Sequence, residues 1–183
     1  MDYEITELEK EKWQGYNLEF RYVANERYDI KIIRTSDDDF CVSLKKILLD
    51  VPYVKMPDKS DKLFQPWWDE AMAWGIVENN RLIAAIETAA EVWSNRLMVT
   101  ELWVHENYRR KGIARALMNK ALQRAKTERR RALILETQSC NVGAIAFYLD
   151  FGFDLIGFDS CAYQNNDLQR GEVRLDFGIL LDC

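Results

Sequence analysis

The chain has 183 residues, 48% of them hydrophobic and 30% charged, with a formal net charge of -5. This composition excludes disorder and fibrous repeats and fits one soluble domain; the acidic balance argues against general nucleic-acid binding and favours cationic ligands. No run approaches the ~18 apolar residues that span a bilayer. Cys41, Cys140, Cys161 and Cys183 are spaced too widely for a zinc site and follow no apolar signal segment, so a cytoplasmic protein with reduced thiols and no metal is expected.

Residues 1–27, with Trp13, Tyr16, Phe20 and Tyr22 at no clean period, read as an N-terminal extension packed on a domain of residues 28–183. From Tyr28 the alternating, β-branched run YDIKIIR predicts the first core strand. Ser36 and the acids Asp37, Asp38 and Asp39 then resemble a helix cap, and Phe40, Leu44, Ile47 and Leu48 recur at helical spacing. A helix over residues 37–50 is therefore expected. Pro52, Pro57 and Pro66 punctuate a segment with Leu63, Phe64, Trp67 and Trp68, read as a loop and a short second helix that varies with substrate.

AMAWGIVE and RLIAAIETAAE meet at Asn79 and Asn80, a pair suited to a tight hairpin, and RLMVTELWV adds a third antiparallel strand ending near Val104. A helix over 112–127, the strand ALILETQ, a helix over 142–151 and strands around 153–163 and 172–180 complete the chain. Without a linker or repeat, these elements should share one sheet in a mixed α/β (α+β) domain.

The helix from 112 has an apolar face of Ile113, Leu117 and Ala121, flanked by Ala114, Met118 and Leu122, with Arg115, Lys120 and Arg124 expected to point away. That face does not explain Arg109, Arg110 and Lys111 at its start, where each cation opposes the helix dipole by about 0.3–1 kcal/mol. A diphosphate on the unpaired amides would offset them, with Gly112 allowing close approach. The alternative is that the cations are solvated and Gly112 only starts the helix.

Arg109, Gly112 and Ala114 in R-x-x-G-x-A, together with Asn141, Ala144, Phe147, Tyr148, Gly152 and Phe153, resemble the GCN5-related N-acetyltransferase (GNAT) superfamily over residues 30–180. The resemblance implies a single domain with a mostly antiparallel sheet of about seven strands, splayed in the middle and flanked by helices on both faces. It implies acetyl-CoA as co-substrate. The stretches YRRKGIARALM, LETQSCNVGAIAFY, GFDLIGFDS and GEVRLDFG look like the streptothricin acetyltransferases of bacteria, which makes that antibiotic's amine the implied acceptor and resistance the implied outcome.

Carried over by position, the family pattern implies that amides of Arg109, Arg110, Lys111, Gly112, Ile113 and Ala114 bind the pyrophosphate. Leu102, Trp103 and Val104 would pair with the pantetheine arm, one amide near Trp103 or Val104 facing the acetyl oxygen. Tyr148 would protonate the departing thiolate, although by itself a tyrosine beside Phe147 reads as an aromatic anchor. Asn141 and Ala144 would meet the cofactor; Asn141 is equally a helix N-cap, and Gly152 a C-cap without chemistry.

A lysine-like amine is neutral in about one molecule in 2,500 at pH 7, so a proton acceptor is needed. Glu101, on the strand beside the implied thioester, is the candidate, with an ordinary ion-paired acid as the alternative. Asp154, Asp159, Asp167 and Glu172 could attract a cationic small molecule, and Trp67, Trp68 and Trp103 could stack on it or fill the core. His105, lacking partners at ligand spacing, reads as a surface residue; Cys140, with no histidine nearby in sequence, favours direct transfer over an acyl-cysteine. The rivals are acetylation of a protein N-terminus, lysine or polyamine, and a non-catalytic acyl-CoA-binding module. Partners are a small-molecule amine, no nucleic acid and no membrane, in a monomer or homodimer.

Overall fold

Asn79 and Asn80 both take left-handed φ angles, 48° and 61°, which asparagine tolerates. That turn folds β4 (Met72–Glu78) back on β5 (Arg81–Glu91) in this computed structural model, which describes residues 3–181. β5 is buried from Leu82 to Ala90, as a near-continuous apolar strand covered on both faces must be. β6 (Arg96–Val104) pairs antiparallel with it. The remaining elements are β1 (Thr6–Glu7), α1 (Lys10–Trp13), β2 (Tyr22–Ser36), β3 (Asp39–Lys55), α2 (Ile113–Thr127), β7 (Ala132–Gln138), α3 (Val142–Phe151), β8 (Asp154–Asp159), α4 (Asp167–Arg170) and β9 (Arg174–Leu180). The central sheet has seven strands in the order β1-β4-β5-β6-β7-β9-β8, with β6 and β7 parallel. Among the described residues, no helix is long and apolar enough to cross a membrane.

By internal contacts the chain forms two units. The first takes residues 1–21, 56–135 and 178–183. Its core includes Leu8, Trp13, Leu18, Leu63, Phe64, Leu82 and Trp103, so residues from the amino-terminal segment help build it. α2 buries Ile113, Leu117, Met118, Ala121 and Ala125. Arg124 does not point away: it is 9% exposed and donates to Thr88 O (3.0 Å), Thr88 Oγ1 (2.9 Å) and Glu70 O (3.1 Å). The helical period explains the correction, because position 124 follows 113, 117 and 121 on the same buried row. The short helix expected near residues 63–68 is instead a set of turns, with left-handed φ at Phe64 (54°) and Glu70 (50°).

The second unit takes residues 22–55 and 136–177. The helix expected over 37–50 is the strand β3, and YDIKIIR lies in β2, which pairs with β3 in a separate two-stranded sheet and not in the central one. Phe40, Leu44, Ile47 and Leu48 fit a helical stripe, but Phe40, Val42 and Leu44 also alternate with period two, and β-branched Val42 favours the strand. The cap signal belongs to the hairpin turn at Asp37 and Asp38, where Arg34 Nη2 meets Asp37 Oδ1 at 2.7 Å and the Asp38 amide donates to Ser36 Oγ. The unit's core holds Ile145, Tyr148, Phe153, Val173, Leu175 and Phe177. Fully buried Ser139 joins its parts: its amide donates to Val173 O (2.8 Å), its hydroxyl to Gly171 O (3.1 Å), and its carbonyl accepts from the Tyr28 amide (2.9 Å).

Candidate functional site

The loop before α2 is shaped by two left-handed residues, Arg110 (φ 63°) and Gly112 (φ 80°). A side chain at Gly112 would meet nothing within 4 Å, so glycine serves the backbone angle there and not a lack of space. The amide of Ala116 makes the first intrahelical bond, to Gly112 O at 3.0 Å. Among the described residues, the amides from Arg110 to Ala114 have no hydrogen-bond partner. Successive free amides in alternating backbone conformations form a concave donor set suited to an anion, and the helix dipole adds to it.

Arg109 belongs to the scaffold of this loop. Its amide bonds Glu106 O (3.3 Å), and its side chain donates to Val104 O (3.0 Å) and Arg21 O (2.8 Å). Arg110 and Lys111 are exposed, with Lys111 Nζ lying 5.0 Å from the ring centroid of Tyr108. Tyr108 donates to Glu78 at 2.9 Å, and that bond raises its pKa. His105 caps the short turn before the loop, its Nδ1 accepting from the Asn107 amide at 3.3 Å.

β6 carries a bulge. Glu87 faces Glu101 across the ladder and Thr88 faces Val99, so Thr100 is the extra residue. The parallel pairing of β6 with β7 runs from Arg96↔Ala132 to Val99↔Leu135 and ends beside that bulge. From Thr100 to Val104, β6 pairs with β5 on one side, and its other edge has no strand partner among the described residues. An edge of this kind can receive an extended amide chain.

Leu102 pairs with Ile86, Trp103 with Ala85 and Val104 with Ala84 along this stretch. Trp103 is a core residue, 4% exposed, whose Nε1 donates to Glu19 O at 3.0 Å, so its ring does not serve a substrate. Trp67 is exposed and Trp68 half-buried. Glu101 is half-buried.

The acid that the sequence reading missed is Glu87. Fully buried, it accepts from Thr100 Oγ1 (2.8 Å) and from the Phe64 amide. Burial raises its pKa, and the hydrogen bonds from Phe64 and Thr100 oppose that rise. Its signal was visible as the one acid inside the apolar run IAAIETAA.

In the second unit, Asn141 caps α3, its Oδ1 accepting from the Ala144 amide at 3.4 Å, and Gly152 ends that helix at φ 113°. Tyr148, 9% exposed, sits edge-on to Phe147 (5.6 Å) and Phe153 (5.9 Å) and tilted against Phe177 (6.2 Å). Cys140 is 1% exposed and burial raises its thiol pKa, although a hydrogen bond with Tyr22 lowers it; a buried thiol of that kind is a poor nucleophile.

Of the four acids that could attract a cation, Asp167 is fully buried and accepts from the amides of Tyr163 and Gln164 in the turn before α4, both at 2.9 Å. Asp159 accepts from the Cys161 amide (2.9 Å), which lowers its pKa, and Asp154 is exposed. Glu172 accepts from Tyr53 (2.9 Å) and Gln138 (2.9 Å) and pairs with Arg170, while Tyr22 donates to Gln138 at 3.1 Å. A second acidic group was not anticipated: Glu136 and Asp176 share Arg174 at 3.2 and 3.1 Å. Burial raises the pKa of Glu136, with Arg174 opposing and Asp176 and Asp159 reinforcing the rise. Among the described residues, no His, Cys, Asp or Glu group has the arrangement of a metal site.

Comparison with known proteins agrees with this architecture. Streptothricin acetyltransferase A of Bacillus subtilis (strain 168) is 31% identical over 117 residues, which are 64% of this chain and 60% of that protein. Streptothricin acetyltransferase of Escherichia coli is 25% identical over 174 residues, covering 93% of this chain and 92% of its own. The fold of nourseothricin acetyltransferase superposes over 100% of both chains with a TM-score of 0.77 at 21% identity. That of a Bacillus anthracis protein solved in complex with acetyl coenzyme A does so with a TM-score of 0.76 at 23% identity. The profile of the Acetyltransferase (GNAT) family matches residues 41–153, well over half of the sequence, and the chain belongs to that family of acetyltransferases.

Proposed function

We propose that the chain moves the acetyl group of acetyl-CoA directly to a primary amine of a cationic small molecule in the cytoplasm, with the β-lysine amine of streptothricin as acceptor and resistance as the outcome. The observation that carries this reading is the set of unpartnered amides from Arg110 to Ala114, shaped by two left-handed residues. Those amides suit the coenzyme's pyrophosphate, with Arg110 and Lys111 adding charge, and Arg109 holds the loop in place. The free edge of β6 at Leu102, Trp103 and Val104 suits the amides of the pantetheine arm. The names of the bacterial relatives support the acceptor.

In the proposed reaction the neutral amine nitrogen attacks the thioester carbon and forms a C–N bond. The C–S bond then breaks, and the sulfur takes a proton as CoA leaves. Tyr148 supplies that proton, since a phenol remains protonated at pH 7. Glu101 takes the proton that the ammonium must lose, and one amide at Trp103 or Val104 stabilises the oxyanion. Asn141 and Ala144 keep the cofactor contacts that the family pattern gives them. Direct attack agrees with the buried, high-pKa state of Cys140.

Purified protein with acetyl-CoA and streptothricin, spermidine or test peptides, followed by thiol release, tests the acceptor. Turnover is expected with streptothricin; release only with peptides or spermidine would move the acceptor elsewhere. No release with any amine, alongside measurable acetyl-CoA binding, would favour a binding module.

A further inference from the structure

Glu87 stands fully buried in an apolar strand, where a carboxylate without partners is costly. Two donors reach it from different elements: the Phe64 amide meets one oxygen, and Thr100 Oγ1 meets the other at 2.8 Å. Phe64 is itself fixed, packed in the same core cluster as Trp103, with its carbonyl accepting from Gln14 Nε2 at 3.4 Å. The carboxylate is therefore a strut, anchored at one end, that ties down the extra residue of the β6 bulge. That bulge decides which way the β6 amides point. Beyond it the His105 amide donates to Ile83 O at 2.8 Å, so by the alternation of an antiparallel ladder Trp103 exchanges bonds with Ala85. Leu102 and Val104, opposite Ile86 and Ala84, then turn their N–H and C=O groups to the open edge. The Val104 carbonyl agrees, since its partner is Arg109 Nε, at 3.0 Å, and not β5. Without the bulge the register would slip by one residue: the Trp103 ring would turn away from the core, and its amide would replace those of Leu102 and Val104 at the edge.

We infer that Glu87 is a positioning residue for acetyl transfer: through the Thr100 hydroxyl it locks the bulge that presents the Leu102 and Val104 amides to the coenzyme. This role, which rests on the acetyl-CoA reading above, also narrows the site. The N–H and C=O of Leu102 take an amide of the pantetheine arm. The Val104 N–H, two residues on along the same edge, is the one that faces the acetyl oxygen. Trp103, whose amide is engaged by Ala85, is not the oxyanion donor. Fully buried, Glu87 acts only through the place it gives Thr100.

Amide hydrogen exchange read by NMR, with steady-state kinetics, tests this on the full chain. In the parent the Trp103 amide should exchange slowly with or without ligand, whereas those of Leu102 and Val104 should exchange fast alone and about tenfold more slowly with acetyl-CoA. CoA, which lacks the acetyl oxygen, should protect Val104 less. Thr100→Val keeps the branched shape but loses the hydroxyl. Its kcat should fall about 10- to 100-fold, with acetyl-CoA affinity by calorimetry within about threefold of the parent, because the amides from Arg110 to Ala114 are untouched. Thr100→Ser should recover most of that loss, with melting showing that each variant is folded. A folded Thr100→Val with the parent's kcat would overturn the inference. So would Thr100→Ser losing as much as Thr100→Val, or a Val104 amide left unprotected by acetyl-CoA while those from Arg110 to Ala114 shift. Coenzyme binding that moves none of these amides would instead count against the acetyl-CoA site itself, and so against both readings.

Discussion

The Thr100 hydroxyl donates to Glu87 Oε1 at 2.8 Å, joining the bulged residue of β6 to a fully buried acid on β5. The other Glu87 oxygen accepts from the Phe64 amide, where the backbone is left-handed. One carboxylate thus fixes both the bulge, beside which pairing to β7 ends, and the turn at Phe64. Removing it with Glu87→Ala leaves the Phe64 amide and the Thr100 hydroxyl without their acceptor, at about 1–3 kcal/mol each. Chemical denaturation should show a combined loss of about 2–6 kcal/mol.

Glu87 also gives a pH signature. Its folded pKa is raised by burial, so the stability linked to its protonation is fully present below the unfolded value and is lost as pH rises through the folded one. Glu87→Gln keeps an acceptor for the Phe64 amide, and the Thr100 hydroxyl can rotate to accept from the new amide group. The difference in unfolding free energy between parent and variant should favour the parent increasingly as pH falls through the raised folded pKa of Glu87 towards its unfolded value. A difference independent of pH would contradict the assignment.

Arg124 and Glu128 predict the opposite slope. Burial alone would raise the Glu128 pKa, but hydrogen bonds from Arg124 and Arg130 outweigh it and the net shift is downward. Its stabilising effect is present above the unfolded value and fades as pH falls through the folded one. Arg124→Met should cost about 3–5 kcal/mol at pH 7, since it strips donors from Thr88 and Glu70. Part of that cost should disappear in acid, as read by denaturation at several pH values.

The fold was legible wherever one pattern dominated. The hairpin at Asn79 and Asn80, β6, α2, β7 and α3 follow from turn chemistry and periodicity that admit one reading. β3 was not legible because Phe40, Leu44, Ile47 and Leu48 satisfy a helix while Phe40, Val42 and Leu44 satisfy a strand, and Ser36 with its aspartates suits a cap or a turn equally. Arg124 was misread because charge suggested solvent, whereas its helical phase is that of Leu117 and Ala121. For the site, Gly112 and Asn141 could be read from local backbone needs; Glu87 and Glu136 depend on partners distant in sequence that no local pattern reveals.

Tyr148→Phe preserves the ring packed against Phe147, Phe153 and Phe177. Steady-state kinetics should show kcat reduced about 10²-fold, with acetyl-CoA affinity unchanged by calorimetry. Unchanged turnover would return Tyr148 to the role of an aromatic anchor.

Glu101→Gln should lower kcat/KM at neutral pH and recover activity at high pH, where the acceptor amine loses its proton without help. A pH-rate profile parallel to that of the parent would exclude Glu101 as the proton acceptor.

The most direct test is an amide-resolved NMR titration of the protein with acetyl-CoA. The account predicts that the largest shifts fall on the amides from Arg110 to Ala114, with CoA and acetyl-CoA alike because both carry the pyrophosphate. Saturable binding that left those five amides unmoved would contradict it.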